Sequence, residues 1–253
     1  MAKFIEQFSE MMANPKYFTE FAFGIWETLY STVLATAFAC LLGLVLGVLL
    51  IVGEKDGIRP LPAPLMKLLN FVINIVRSVP FLILMLMVLP LSMVLLGTRI
   101  GTPASIPPLI IAAAPFVARL VETSLRELDK GMVEAAQAMG CTTWQIIWKV
   151  MIPECLPSLI ASLTTAFITI LGYGAMAGAI GGGGLGKIAI NYGYNRYNYA
   201  VMLVAVVLIV ILVQIFQSIG TRMAVRLDKR LGAKGRKDVK KQMSKDKKVP
   251  GAL

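Results

Sequence analysis

The chain has 253 residues, 57% of them hydrophobic and only 15% charged, with a formal net charge of +11. Soluble domains carry about 25% charged residues, so the composition excludes an ordinary soluble protein. Histidine is absent and the three cysteines, Cys40, Cys141 and Cys155, lack metal-site spacing, which argues against a metal centre and against most membrane hydrolase chemistry.

Residues 1–20 mix Lys3 and Lys16 with Glu6, Glu10 and Glu20, unlike a cleavable signal. Phe4, Ile5, Phe8, Met11 and Met12 suit a helix lying on a membrane surface, and a frayed leader fits them as well. Residues 21–221 read as a transmembrane domain. Its charge-poor runs place spans at about 28–53, 70–97, 100–121, 158–181 and 198–221. Each reaches the roughly 20 residues that cross a hydrocarbon core of ~30 Å. The runs are continuous, not the alternating ten-residue segments of a barrel, so helices must satisfy the backbone. The expected fold class is an all-α integral membrane protein of about five transmembrane helices.

Gly43 and Gly47 in the first span, and Gly174 and Gly178 in the fourth, form small-xxx-small pairs that let helices approach closely. For the first pair, packing inside the chain is expected before a seam between copies. Arg77 stands about a third of the way along the second span, where it snorkels to one face or points into the protein.

The sizeable polar connection is residues 122–157. Asp129 to Met139 reads as a short helix rich in alanine, ended by Gly140. Thr142 or Thr143 caps a second helix running to about Met151, with Trp144, Ile147, Trp148 and Met151 spaced along one apolar face. Pro153 and Pro157 punctuate the stretch after that helix. Two such helices pack on their own bundle or dock on a partner, and the pattern alone leaves both open.

Gly181, Gly186 and Lys187 nearly spell a phosphate-binding loop, but Ile188 stands where Ser or Thr should hold magnesium, and the motif comes after a membrane span, not a strand. A tightly packed glycine hinge is the expectation. Residues 222–253 form a basic tail with twelve of the 25 Lys and Arg residues. That placement reads as a solvated cytoplasmic flank, not a nucleic-acid surface. With the tail set aside, the loops on its side still hold seven Lys and Arg against five on the other. The expected topology has the N-terminus outside and the C-terminus in the cytoplasm.

Glu134-Ala135-Ala136, then Gly140, Val150, Ile152 and Pro153, resembles the EAA loop of ABC-importer permeases at every spacing. Val150 stands for the family Ile and Ile152 for its Leu. Further blocks resemble the methionine-import subfamily in the same order: Arg77 to Phe81, Ala113 to Arg119, Gly172 to Gly178 and Tyr192 to Asn198. The likeness covers roughly residues 22–228.

The resemblance implies a type I ABC-importer permease fold and a non-catalytic subunit of a bacterial inner-membrane importer. Its implied partners are a second copy of this chain, two copies of an ABC ATPase and an extracytoplasmic methionine-binding protein, all within a lipid bilayer. No cofactor belongs to this chain; ATP and magnesium belong to the ATPase. Residues 122–157 become the coupling loop: Glu134 orients it or pairs with the ATPase, Ala135 and Ala136 allow close packing, and Gly140 sets the turn. Trp144 and Trp148 either anchor the interface or bury against the bundle, and Pro153 completes the motif. The translocation path is expected along the second and fourth spans, with Arg77, Pro80, Tyr173 and Met176 as candidates. Substrate is methionine, in its L and also its D form; another amino acid or small solute is the alternative. A secondary transporter fits less well, because the spans hold few ionisable groups for a proton or ion relay.

Overall fold

The computed structural model describes residues 2–228. It is built from helices: α1 (Ala2–Ala13), α2 (Pro15–Val52), α3 (Ala63–Ser78), α4 (Phe81–Leu96) and α5 (Thr102–Arg126), then the short elements of the polar connection, then α9 (Leu156–Ala177), α10 (Gly184–Ile188) and α11 (Tyr199–Leu227). Between α5 and α9 lie α6 (Lys130–Ala138), α7 (Thr143–Ile146), a π-helical segment (Ile147–Met151) and α8 (Ile152–Glu154). Among the described residues, four helical segments are long and apolar enough to cross a membrane, and a sharply bent pair, taken as one span, makes a fifth.

The first span, expected over 28–53, is the C-terminal part of a longer helix. Asn14 breaks the chain from α1, accepts the Lys16 N–H on its side chain at 3.0 Å, and leads into Pro15, whose missing N–H costs nothing at a helix start. The 38 residues of α2 measure about 57 Å, so Lys16 and Glu20, expected in a leader of residues 1–20, lie on this helix. Apolar runs mark the embedded part of a helix, and its polar continuation carries no such signal. For the same reason α5 runs on to Arg126 and α11 to Leu227, past the expected ends at 121 and 221. The rest of the basic tail, residues 229–253, lies outside the described residues.

The second span departs most from expectation. It is not one helix over 70–97 but two 16-residue arms, α3 and α4, bent by 108° at Val79–Pro80. Pro80 has no N–H to donate and its ring drives the preceding residue out of the α region; Val79 sits at φ −78°, ψ 127°. Each arm is about 24 Å long and falls short of a hydrocarbon core. Arg77 therefore stands in the last turn of α3, exposed beside the break, not a third of the way along a span.

The centre of the bundle is α5. Leu109, Ala113, Val117, Ala118 and Val121 are almost wholly buried along it, and α2 lies against it. Gly43 and Gly47 are the reason the two can touch: a Cβ on Gly43 would meet Val117 Cγ1 at 2.5 Å, and one on Gly47 would meet the Ala118 carbonyl oxygen at 2.7 Å. Backbone cannot give way as a side-chain tip does. Gly47→Leu is therefore expected to destabilise the fold by about 3 kcal/mol, at the upper end of overpacking costs, read as a lower unfolding temperature in detergent. An unchanged temperature would mean the helices are not held this close. Gly178 likewise has backbone against it, at Gly186 and Lys187. Gly174 does not share that role; its nearest neighbour is Thr32 Oγ1 at 4.0 Å.

At the end of the bundle away from the polar connection, the glycine run is clasped rather than loose. Glu27 on α2 accepts the Thr102 hydroxyl at 2.6 Å and the Gly184 N–H at 2.8 Å. Thr28 Oγ1 accepts the Leu185 N–H at 2.9 Å, and the Gly101 N–H donates to the Gly181 carbonyl at 2.7 Å. Gly181 and Gly184 adopt φ of 94° and 79°, conformations that glycine reaches without a Cβ clash.

Candidate functional site

The polar connection folds as two short helical pieces joined by a tight turn. Asp129 caps α6 by accepting the Gly131 N–H at 2.8 Å. Gly140, at φ 77°, ends it. Thr142, not Thr143, caps the next helix through a reciprocal box: its hydroxyl accepts the Gln145 N–H at 3.3 Å while the Gln145 side chain accepts the Thr142 N–H at 2.8 Å. The helix then widens, with the Ile152 N–H bonded to the Ile147 carbonyl, the five-residue step of a π-helix.

That widening decides which side chains face the bundle. An α-helical reading puts Trp144, Ile147, Trp148 and Met151 on one face. The five-residue step instead stacks Met151 over Ile146. Ile146 and Met151 are buried, Ile147 and Val150 are half-buried at the margin, and both tryptophans stay out. Trp144 is 68% exposed and Trp148 46% exposed, their rings packed on each other with centroids 5.3 Å apart. Burial against the bundle is thus not their role in this chain.

On α6, Ala136 is buried at 2% exposure while Glu134 and Ala135 are exposed. Pro153 is exposed at the start of α8, where no N–H is needed. Ala136, Ile146, Met151 and Cys155 join the same apolar cluster as Ala113, Val117 and Ile170 of the spans. The loop therefore has one face embedded in the core and another that presents Met139, Trp144 and Trp148 to the outside. Exposed apolar patches of this kind mark interaction surfaces. Among the described residues, no group of three His, Cys, Asp or Glu side chains is placed to hold a metal ion.

Beside the loop lies a charged network that the sequence pattern did not reveal. Glu122, 8% exposed, accepts Arg119 at 2.6 Å and Arg126 at 2.8 Å. Arg126 also pairs with Glu54 at the end of α2, at 3.0 Å. Arg119 reaches across to Asn70 and Asn74 of α3 at 2.7 and 3.0 Å. One carboxylate thus ties together α2, α3 and α5 at the level of the loop. The spacing of Arg119, Glu122 and Arg126, three and four residues apart on one helix, is the sequence signal that could have found it.

The fourth span carries an open face. Ala161, Thr165 and Met176 are exposed along α9, and a Cβ on Gly172 would meet nothing within 4 Å. Tyr173 lies flat against Phe81, ring centroids 4.4 Å apart and planes 5° from parallel. The break at Pro80 is therefore held next to Tyr173. The structure brings Pro80, Phe81 and Tyr173 together at one place, with Met176 one turn further along α9.

The sequence from residue 43 to 233 matches the family of binding-protein-dependent transport system inner membrane components. The chain belongs to this family. Among its relatives in this family of inner membrane components, the chain is 50% identical over 205 residues to a probable D-methionine transport system permease protein of Vibrio cholerae, covering 81% of this chain and 91% of the relative. It is also 50% identical over 159 residues to a methionine import system permease protein of Bacillus subtilis, covering 63% of this chain and 72% of the relative. A solved structure of the MetNI methionine ABC transporter in an inward facing conformation superposes with a TM-score of 0.83 at 42% identity, over 85% of this chain and all of the other. The family's type I importer permease fold is the fold of this chain, with its bent second span.

Proposed function

We propose that this chain is the permease subunit of an ATP-driven importer that carries methionine, L or D, into the cell. The observation that carries the reading is the two-faced loop: Ala136, Ile146 and Met151 lock it to the spans, while Met139, Trp144 and Trp148 face outward. Such a loop transmits the movement of something docked on it to the helices behind it. The partner proposed is an ABC ATPase, two copies beneath two copies of this chain, with a methionine-binding protein on the far side. The loop end is then cytoplasmic and α1 lies at the external face.

ATP binding draws the ATPases together and carries the loops with them. Because α6 and the π-segment share a core with α5 and α9, the spans move as bodies, and the pathway opens alternately to each side. The energy comes from the difference in ATP affinity between the two states. ATP hydrolysis belongs to the partner; this chain supplies the path and the lever.

The open face of α9 suits the path. It offers hydroxyls, a bare Gly172 and the thioether of Met176, with no charged side chain from Ala161 to Met176. A neutral, adaptable lining passes a zwitterion with a flexible apolar side chain without trapping it. Met176→Ala is expected to change methionine uptake roughly tenfold, the scale of a few methylene contacts, with ATPase association intact. Loss of association instead would make Met176 structural.

The deciding experiment is uptake of labelled methionine into proteoliposomes holding this chain and its ATPase, with ATP inside and the binding protein outside. ATP-dependent accumulation, competed by cold L- or D-methionine, supports the reading. Binding-protein-stimulated hydrolysis without methionine uptake would move the substrate to another amino acid.

A further inference from the structure

At the loop end of the bundle, a cavity of about 480 Å³ opens between the end of α2, the turn after it and the first half of α3, with α5 as its floor. Four cations line it, Lys55, Lys67, Arg119 and Arg126, against two carboxylates, Glu54 and Glu122. Both arginines are committed to those carboxylates. Lys55 and Lys67 have no ion-pair partner among the described residues, so two positive charges are left for whatever enters. Ala63, the first residue of the 16-residue α3, also lines the cavity, and that helix start has no side-chain cap. A helix N-terminus adds partial positive charge of its own.

The surroundings say which anion. Directly beyond the cavity, α3 turns a stripe of exposed apolar side chains outward: Leu65, Leu68, Val72 and Ile75. A soluble anion has no use for that stripe, whereas a molecule with a charged head and a hydrocarbon tail matches both parts. We propose that this cavity binds the phosphate headgroup of an anionic membrane phospholipid. Lys55 and Lys67 hold the phosphate, the fixed arginines set the field behind it, and an acyl chain lies along Leu65, Leu68 and Val72. The lipid then bridges the turn after α2 to α3, the arm that leads to the break at Pro80.

The test is native mass spectrometry of the purified full chain in detergent, offered phosphatidylglycerol and phosphatidylcholine with the same acyl chains. Phosphatidylglycerol should be retained in preference. The double variant K55Q/K67Q should weaken that retention about 30-fold, roughly fivefold for each lysine near an anionic lipid, while K55R/K67R keeps it. Equal retention of the two lipids, or full retention in K55Q/K67Q, overturns the proposal. Displacement of phosphatidylglycerol by millimolar inorganic phosphate would name free phosphate as the ligand and overturn the lipid source. Loss of the lipid on adding the ATPase, with weaker ATPase binding in K55Q/K67Q, would give the cavity to that interface and also overturn it. A measurement on the unaltered protein stands beside these: phosphatidylglycerol with a photoreactive group near its head should label residues 53–70, and labelling confined to other segments refutes the site.

Discussion

Replacing Trp144 and Trp148 together with alanine is expected to abolish methionine uptake while leaving the permease folded. Both rings are exposed in this chain and pack on each other, so their removal takes little from the fold; the unfolding temperature in detergent should stay within about 2 °C. On the proposed ATPase they are the large aromatic side chains that concentrate binding energy at interfaces. Because they share a contact, their losses do not add independently. Together they should cost about 3 kcal/mol, roughly a hundredfold in ATPase affinity. Affinity is read by pull-down or surface-based binding of the purified ATPase, and uptake in the proteoliposomes. Unimpaired ATPase binding would remove the tryptophans from the interface. A fall in thermal stability equal to the fall in uptake would show that they serve the fold instead.

Glu122→Ala acts in the opposite way. Its carboxylate is buried and answers two guanidinium groups, Arg119 at 2.6 Å and Arg126 at 2.8 Å. Removing it leaves Arg119, still held by Asn70 and Asn74, as a largely enclosed charge without a counter-ion. Breaking a buried pair by deleting one member costs about 3–5 kcal/mol, which rivals the whole stability of many domains. Expression and thermal stability should fall sharply, and Glu122→Asp should recover part of the loss. Arg126 keeps Glu54 and half its side chain faces solvent, so Arg126→Ala should cost far less. Equal losses in the two variants would contradict the central place of Glu122.

The spans were legible because hydrocarbon imposes one rule on every residue it touches, and charge-free runs such as 198–221 record it directly. The loop was legible because Glu134, Gly140 and Pro153 stand at fixed offsets, and because Gly140 ends one helix and a threonine at 142 or 143 begins the next by local chemistry; the choice of Thr142 and its box with Gln145 came only with the structure. The bend at Pro80 was missed although proline announces it, because the residues on both sides are apolar and an apolar run conceals a change of direction. The buried face of the second loop helix was misread because a π-helical step shifts the register by one residue, and nothing in Ile147 to Met151 marks that step beforehand. Glu27 was not recognised as a hub because its partners, Thr102 and Gly184, are far away in sequence; the network around Glu122 was missed because its outer members, Asn70 on Arg119 and Glu54 on Arg126, are equally distant, although the two arginines stand three and four residues from the carboxylate.

The clasp at Glu27 sets an order in which the molecule is finished. Thr102 comes 75 residues after Glu27 and Gly184 comes 157 after it. At about 5–20 residues per second on the ribosome, the carboxylate waits roughly 4–15 s for its hydroxyl and 8–30 s for the glycine N–H. During that interval α2 is already made, and a charged group near the membrane has half of its partners. This end of the bundle therefore closes late, through a backbone amide that does not exist until the fourth span has been synthesised. A nascent chain stopped before residue 184 carries at Glu27 a carboxylate that still lacks its backbone partner.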